Sequence, residues 1–245
     1  MSDVVRTRWL EFTEPLEGGV AYPYADIRGL ITIAYGNLID PMIAALALPF
    51  VRPDGSRATT AEIASAWQAV KNDRDAARRG HTYARTLTLL RLTADGMTSL
   101  ALGKYDASDA ALTRRLPDFA SYPACARMAL HSLAWACGAN VHYPRMFDAV
   151  NARDYELAAV EIHMNEWTPE GIHNAGLVPR NKANNILMRN AVRVHAYHLD
   201  PDTLDWHALI GVGDAPTEPQ LDNPASSPTI HVGSYPLGVD PDDVA

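Results

Sequence analysis

The sequence predicts an α+β chain, mainly helical, with its strand content gathered near the N-terminus. Three observations lead there. Residues 30–35 are rich in β-branched and aromatic side chains and follow a turn signal at Asp26, Arg28 and Gly29. From residue 59 onward the apolar spacing is helical. Strand-like and helical stretches do not alternate, so the elements are segregated rather than arranged in βαβ units.

The elements follow in chain order. Glu17 heads a helix-to-hairpin passage, and residues 22–36, YPYADIRGLITIAYG, then read as a turn with a short strand or hairpin. Pro and Gly in PFVRPDG at 49–55 mark a loop. Thr59 and Glu62 fit a capping box that opens a helix over 60–79, with Ile63, Trp67 and Val70 on one face. Residues 83–103 carry apolar residues at mixed spacing, and Ser108 is expected to cap a short segment ending at Pro117. PACARMALHSLAWAC at 123–137, stopped by Gly138, is the most apolar helix and is expected at the centre of the core. Residues 151–167 are amphipathic, and 179–198 form a basic helix with an apolar stripe at Ile186, Met188, Val192 and Val194.

Beyond the helices the composition shifts. Six prolines fall in residues 214–245, with acids and serines and no basic group. The chain therefore divides into a body, residues 1–200, and a Pro/Asp-rich C-terminal tail, residues 201–245.

With 245 residues, 47% of them hydrophobic, the chain has ample material for a core. No apolar run approaches the length of a transmembrane helix. The first 12 residues hold no apolar run of signal-peptide length, so synthesis in the cytoplasm without a signal peptide is expected. The net charge of −8 speaks against nucleic acid as a partner. Its distribution matters, because residues 1–199 carry 21 basic and 20 acidic groups. The acidity belongs to the tail, and an anionic substrate for the body is not excluded. Cys125 and Cys137 fall on one predicted helix about 18 Å apart, too far for a disulfide. They read as small buried hydrophobes.

The stretch with chemistry in it is Glu14 to Asn37, EPLEGGVAYPYADIRGLITIAYGN. Glu17, Asp26 and Thr32 are two carboxyl groups and a hydroxyl close in sequence, on a segment bent by Gly18, Gly19, Gly29 and Gly36. Glycosidases use such a pair, one carboxyl kept protonated by burial and the other ionised. Glu11 and Glu14 lie nearby but read as surface residues.

This segment resembles the active-site signature of the phage-type lysozymes, glycoside hydrolase family 24. The signature runs Glu-Gly, Tyr-x-Asp, Gly, then Thr-x-Gly-Tyr-Gly-His. Glu17-Gly18, Tyr24-Ala25-Asp26, Gly29 and Thr32-Ile33-Ala34-Tyr35-Gly36-Asn37 stand in register with it without a gap. Ala129–Gly138, Asn151–Ala159 with Trp167, and Gly176–Arg180 (GLVPR) resemble later parts of the family more loosely. The likeness spans roughly residues 9–199; residues 50–120 match poorly and the tail is not covered. Two positions depart: Ala34 replaces a glycine and Asn37 replaces the histidine.

The resemblance implies a lysozyme-like fold with a small N-terminal β lobe, a larger helical lobe and a cleft between them, making residues 1–200 the catalytic domain. It implies a peptidoglycan N-acetylmuramidase that cuts the β-1,4 bond between N-acetylmuramic acid and N-acetylglucosamine, a bacteriolytic hydrolase needing no metal or other cofactor. Glu17 would be the general acid. Asp26 would position or activate water, or stabilise oxocarbenium charge, and Thr32 would help hold that water. The family is considered inverting, for which carboxyl groups stand roughly 6.5–9.5 Å apart. Leu38 and Trp135 match positions that touch the sugar, although Trp135 also reads as core. Arg180 either pairs with Glu17 or binds substrate.

Two other readings keep the resemblance. One is a catalytically weak or inactive peptidoglycan-binding module of a phage tail or secretion apparatus, motivated by Asn37. The other is a lytic transglycosylase, against which the presence of both Asp26 and Thr32 speaks. The partners expected are peptidoglycan and, depending on the route to the wall, a delivery apparatus or an immunity protein, with the chain itself a monomer. Phage endolysin, virion protein and secreted antimicrobial effector all fit a chain that is made in the cytoplasm and acts on peptidoglycan in the periplasm or cell wall. His195, His198, His163 and His173 fit no metal motif, and no serine elbow or phosphate loop is present. Arg74, Arg78 and Arg79 read as a solvated basic face that would also suit an anionic polymer.

Overall fold

A computed structural model describes residues 3–167, 171 and 173–212. The order is helix α1 (Val4–Glu17), strands β1 (Val20–Ala25), β2 (Ile31–Ala34) and β3 (Asn37–Leu38), helix α2 (Ile43–Leu46), strand β4 (Phe50–Val51), helices α3 (Thr60–Lys71) and α4 (Ala76–Ala84), strand β5 (Arg91–Leu92), and helices α5 (Ala94–Arg115), α6 (Ala124–Cys137), α7 (Pro144–Asn151), α8 (Tyr155–Glu161) and α9 (Leu177–Ala196). It is an α+β arrangement, mainly helical, with one antiparallel sheet in the order β1-β2-β3 and a separate β4-β5 pair. None of the described helices is long and apolar enough to cross a membrane.

Local chemistry explains most boundaries. Asp3 caps α1 by accepting from Val5 N at 3.1 Å. Pro15 lies inside that helix, which ends two residues later at Glu17 and is capped by Gly18 with φ 66°. The capping box of Thr59 and Glu62 is formed at α3. The helix expected over 60–79 breaks instead at Asn72, and α4 begins after it. The expected amphipathic helix at 151–167 contracts to α8, where Asp154 caps Leu157 N at 3.0 Å. Helix α7 and the β4-β5 pair were not foreseen; the strands are too short to show alternation.

Ser108 is not a cap. It sits within the 22-residue α5, buried, with its hydroxyl 2.8 Å from Nδ1 of His131. His131 itself is enclosed, stacked on Tyr105 with centroids 4.0 Å apart, and its pKa is lowered by burial.

Helix α6 is central, as its composition suggests: eleven of its 14 residues are buried, and it packs against α1, α5 and α9. Trp9 of α1 meets Tyr105, Trp135 and Phe12 at centroid distances of 5.4, 5.2 and 5.8 Å. Aromatic contacts at this range add to area burial. Of the two cysteines only Cys125 is buried; Cys137, at the last turn of α6, is exposed, so the expectation that both are buried is corrected.

The division at residue 200 also needs moving. One unit runs through Val212. Trp206 is buried and meets Phe12 edge-on at 5.5 Å, with Arg8 4.4 Å over its ring. Asn190, fully buried on α9, donates to the carbonyls of Asp205 and Ala208 and accepts from Ile210 N at 2.7 Å. Truncation after Asp200 is therefore expected to lower stability by about 3–5 kcal/mol, since a buried Trp and the partners of a buried amide leave together. Thermal unfolding of chains ending at 200 and at 212 checks this; equal midpoints for the two would show that residues 201–212 contribute nothing. Residues 213–245, the rest of the expected tail, lie outside the described residues.

Candidate active site

The sheet register brings the signature residues together. Tyr24 is opposite Thr32, and Thr32 is opposite Leu38. Directly opposed residues of antiparallel strands share a face. Tyr24, Thr32 and Leu38 thus form one row across the sheet. Ala25, Ile31, Ile33 and Asn37 take the other face, with both isoleucines fully buried. Asp26 follows directly after β1, two residues beyond Tyr24.

Asp26 is oriented by its own turn. Its Oδ1 accepts from the N–H groups of Arg28 at 2.8 Å and Leu30 at 2.9 Å, and its backbone closes the turn with Leu30 O and Gly29 N. Gly29, at φ 74°, takes the left-handed conformation this turn requires. Thr32 is buried and its hydroxyl donates to Leu30 O at 3.3 Å. Leu38 is 55% exposed, an apolar side chain open to solvent at the end of the row.

Glu17 arrives from the end of α1. Its backbone is exposed, but its side chain is only 25% exposed, so the carboxyl group turns inward. One oxygen, Oε1, pairs with Arg180 Nη2. The other faces the β2-β3 turn, where a Cβ on Gly36 would stand 3.4 Å away. Burial raises the Glu17 pKa, and the positive charges of Arg180 and Lys104 pull it down less strongly. The Tyr24 hydroxyl is pushed up first by burial, then by the charges of Glu17 and Asp26. The Tyr24 hydroxyl is thus within electrostatic reach of both carboxyl groups.

Arg180, in the first turn of α9, is 2% exposed. Its Nη1 donates to Ser132 Oγ at 3.0 Å, and burial lowers its pKa. Of the two roles open to it, the structure gives pairing with Glu17. Trp135 does not line an open surface. It is 5% exposed, against Trp9, with Lys104 Nζ 3.9 Å over its ring. The sugar-contact expectation for Trp135 is corrected accordingly: it is a core residue that supports Lys104.

Lys104 is the site residue that sequence reasoning missed. It is half-buried midway along α5, and burial lowers its pKa against the pull of Glu17. Only packing brings it to the carboxylate, so no local pattern marks it. Glu11 pairs with Arg8 at 2.7 Å on the surface, as expected of a residue outside the site.

The two departures are absorbed differently. Ala34 takes φ 53°, a conformation that favours glycine. Asn37 is buried, donating to Leu100 O at 3.3 Å, while its Oδ1 has no hydrogen-bond partner among the described residues. Gly36, at φ 75°, has a required conformation. Gly36→Ala is expected to lower stability by about 1–2 kcal/mol through left-handed strain, while its Cβ meets Glu17 only at ordinary contact distance. Chemical denaturation measures this; an unchanged midpoint would show that the turn relaxes freely.

What the arrangement can do is proton transfer beside a second carboxyl group. A buried carboxyl with a raised pKa is suited to donate a proton, and a carboxyl oriented by backbone N–H groups is suited to hold water. No protein-family model matches the chain, and no curated protein matches it.

Proposed function

We propose that the chain is a peptidoglycan hydrolase of lysozyme-like fold, an N-acetylmuramidase that cuts the β-1,4 bond between N-acetylmuramic acid and N-acetylglucosamine. The observation that carries this is that Tyr24 feels the charges of both Glu17 and Asp26, two carboxyl groups held in different environments. Burial favours the protonated form of Glu17, while two backbone N–H groups orient Asp26. These are the demands of glycoside cleavage by a paired acid and base.

In this mechanism Glu17 protonates the leaving glycosidic oxygen. Asp26 holds and activates the water that attacks the anomeric carbon, and its charge stabilises the oxocarbenium-like transition state. Thr32 takes part in holding that water, and Leu38 offers apolar contact to a sugar ring. Arg180 and Lys104 limit the rise of the Glu17 pKa and stabilise the carboxylate that remains after proton transfer. The bond broken is C1–O, and the water hydroxyl ends on C1.

The N-terminal sheet lobe beside a helical body supports the lysozyme-like fold, together with the gap-free register of residues 17–37. The test is incubation of purified peptidoglycan with the full chain. New reducing ends should appear with the protein and not with buffer; sugar binding without new reducing ends would favour a binding module instead.

A further inference from the structure

One basic segment packed against β1 is not used by this mechanism. Residues 71–91 hold six basic groups against two acidic ones. Three side chains fix that segment to β1 and the turn after it. Lys71 Nζ donates to Gly29 O at 3.0 Å, in the turn that carries Asp26. His81 Nδ1 stands 3.4 Å from the Tyr22 hydroxyl, and its ring meets Tyr24 edge-on at 6.2 Å. Arg91 lies 4.5 Å over Tyr22 and donates to Arg85 O at 3.4 Å.

Part of this charge is neutralised within the fold. Lys71 pairs with Asp40 and Arg78 with Asp75, at 2.5 and 2.8 Å. Arg28, at the tip of the Asp26 turn, and Arg74 and Arg85 are exposed, with no acidic partner among the described residues. Burial lowers the Arg91 pKa, and the charge of Arg85 lowers it further. Exposed guanidinium groups that form no ion pair are free to attract an anion. A guanidinium recognises carboxylate well, through paired N–H donors.

We propose that Arg28, Arg74 and Arg85, with His81 beside Tyr22 and Tyr24, form a subsite for the carboxylates of the peptide stems carried by the glycan strand. The subsite rests on the reading of the cleft as a peptidoglycan site and names the part of the substrate that this rim holds. Exposed arginines bind stem after stem along a polymer, so retention is polyvalent and salt-sensitive. Residues 50–120, where the likeness to the lysozyme signature is poorest, contribute most of this rim.

The test compares the full chain with Arg74→Gln/Arg85→Gln, which leaves Glu17, Asp26 and Thr32 untouched. Two substrates are used: peptidoglycan freed of other wall polymers, and the same glycan after an amidase has removed its stems and the lactyl carboxylates exposed by that cut have been capped as neutral amides. On the stem-bearing material at low salt, the variant should show a KM about tenfold higher at unchanged kcat, the combined effect of two exposed ion pairs. At about 0.5 M salt, where the Debye length falls to a few ångströms, the difference should fall below about twofold. On stem-free glycan the two proteins should coincide. Equal KM on stem-bearing material at low salt overturns the subsite, and so does the same loss on stem-free glycan. If the full chain cuts neither substrate, the hydrolytic reading fails separately. Cosedimentation with the stem-bearing material then decides the rim: weaker retention of the variant supports it, and equal retention overturns it.

Discussion

Glu17→Gln is expected to lower kcat by about a thousandfold while the protein stays folded. Glutamine keeps the shape and can still accept from Arg180, but has no proton to give. General acid catalysis contributes about 10²–10⁴-fold, which sets the scale. Stability should move little. The raised pKa of Glu17 means that its stabilising contribution is present below its ordinary value of 4.5 and is lost as pH rises through the folded value. A neutral side chain avoids that loss at neutral pH and offsets the missing charge beside Arg180. Release of reducing ends, with thermal unfolding alongside, measures both effects. Activity near the wild-type level would remove Glu17 from the chemistry.

Arg180→Ala is expected to have the second largest effect, on stability and on pH dependence together. The guanidinium is 2% exposed and bonds both Ser132 and Glu17. Removing one partner of a buried pair typically costs about 3–5 kcal/mol. Here Glu17 can take up a proton and relieve part of that, so about 2–3 kcal/mol is expected. Because the Arg180 charge lowers the Glu17 pKa, its removal raises that pKa further. Glu17 then stays protonated to higher pH, and the alkaline limb of the kcat/KM profile moves upward. A full pH profile with a denaturation curve checks this; an unmoved alkaline limb would show that Arg180 has no electrostatic hold on Glu17.

The local geometry of the candidate site was more legible in the sequence than the body around it, for physical reasons. Glu17, Asp26 and Thr32 lie within 16 consecutive residues, and their geometry is set by local turns and one hairpin register. Gly29 and Gly36 announce those turns because positive φ favours glycine. Leu38 follows from the same register. Arg180 was legible as a candidate but its role was not, since only packing decides whether an arginine faces a carboxylate or solvent. Lys104 and Trp135 fail for the same reason. Periodicity marks a helix but not which neighbour covers each face, so Trp135 went to the core and Lys104 to the site.

The fold followed a similar pattern. Central α6 and the capped α3 were read from composition and from Thr59 with Glu62. The short α7 and the β4-β5 pair depend on tertiary contacts and left no periodic trace. The sequence puts the end of the body at 200 because the run of acids without a Lys or Arg begins there and the likeness to the lysozyme signature stops at 199. Leu204 and Trp206, packed beneath Arg8 and beside Phe12, carry the packed chain on through Val212.

The most direct test of hydrolysis in the Glu17–Asp26 cleft is mass spectrometry of the muropeptides released from purified peptidoglycan. The account predicts fragments ending in reducing N-acetylmuramic acid, with water incorporated, and none from Glu17→Gln. Fragments ending in anhydro-muramic acid, or no soluble fragments from the wild-type chain, would contradict it.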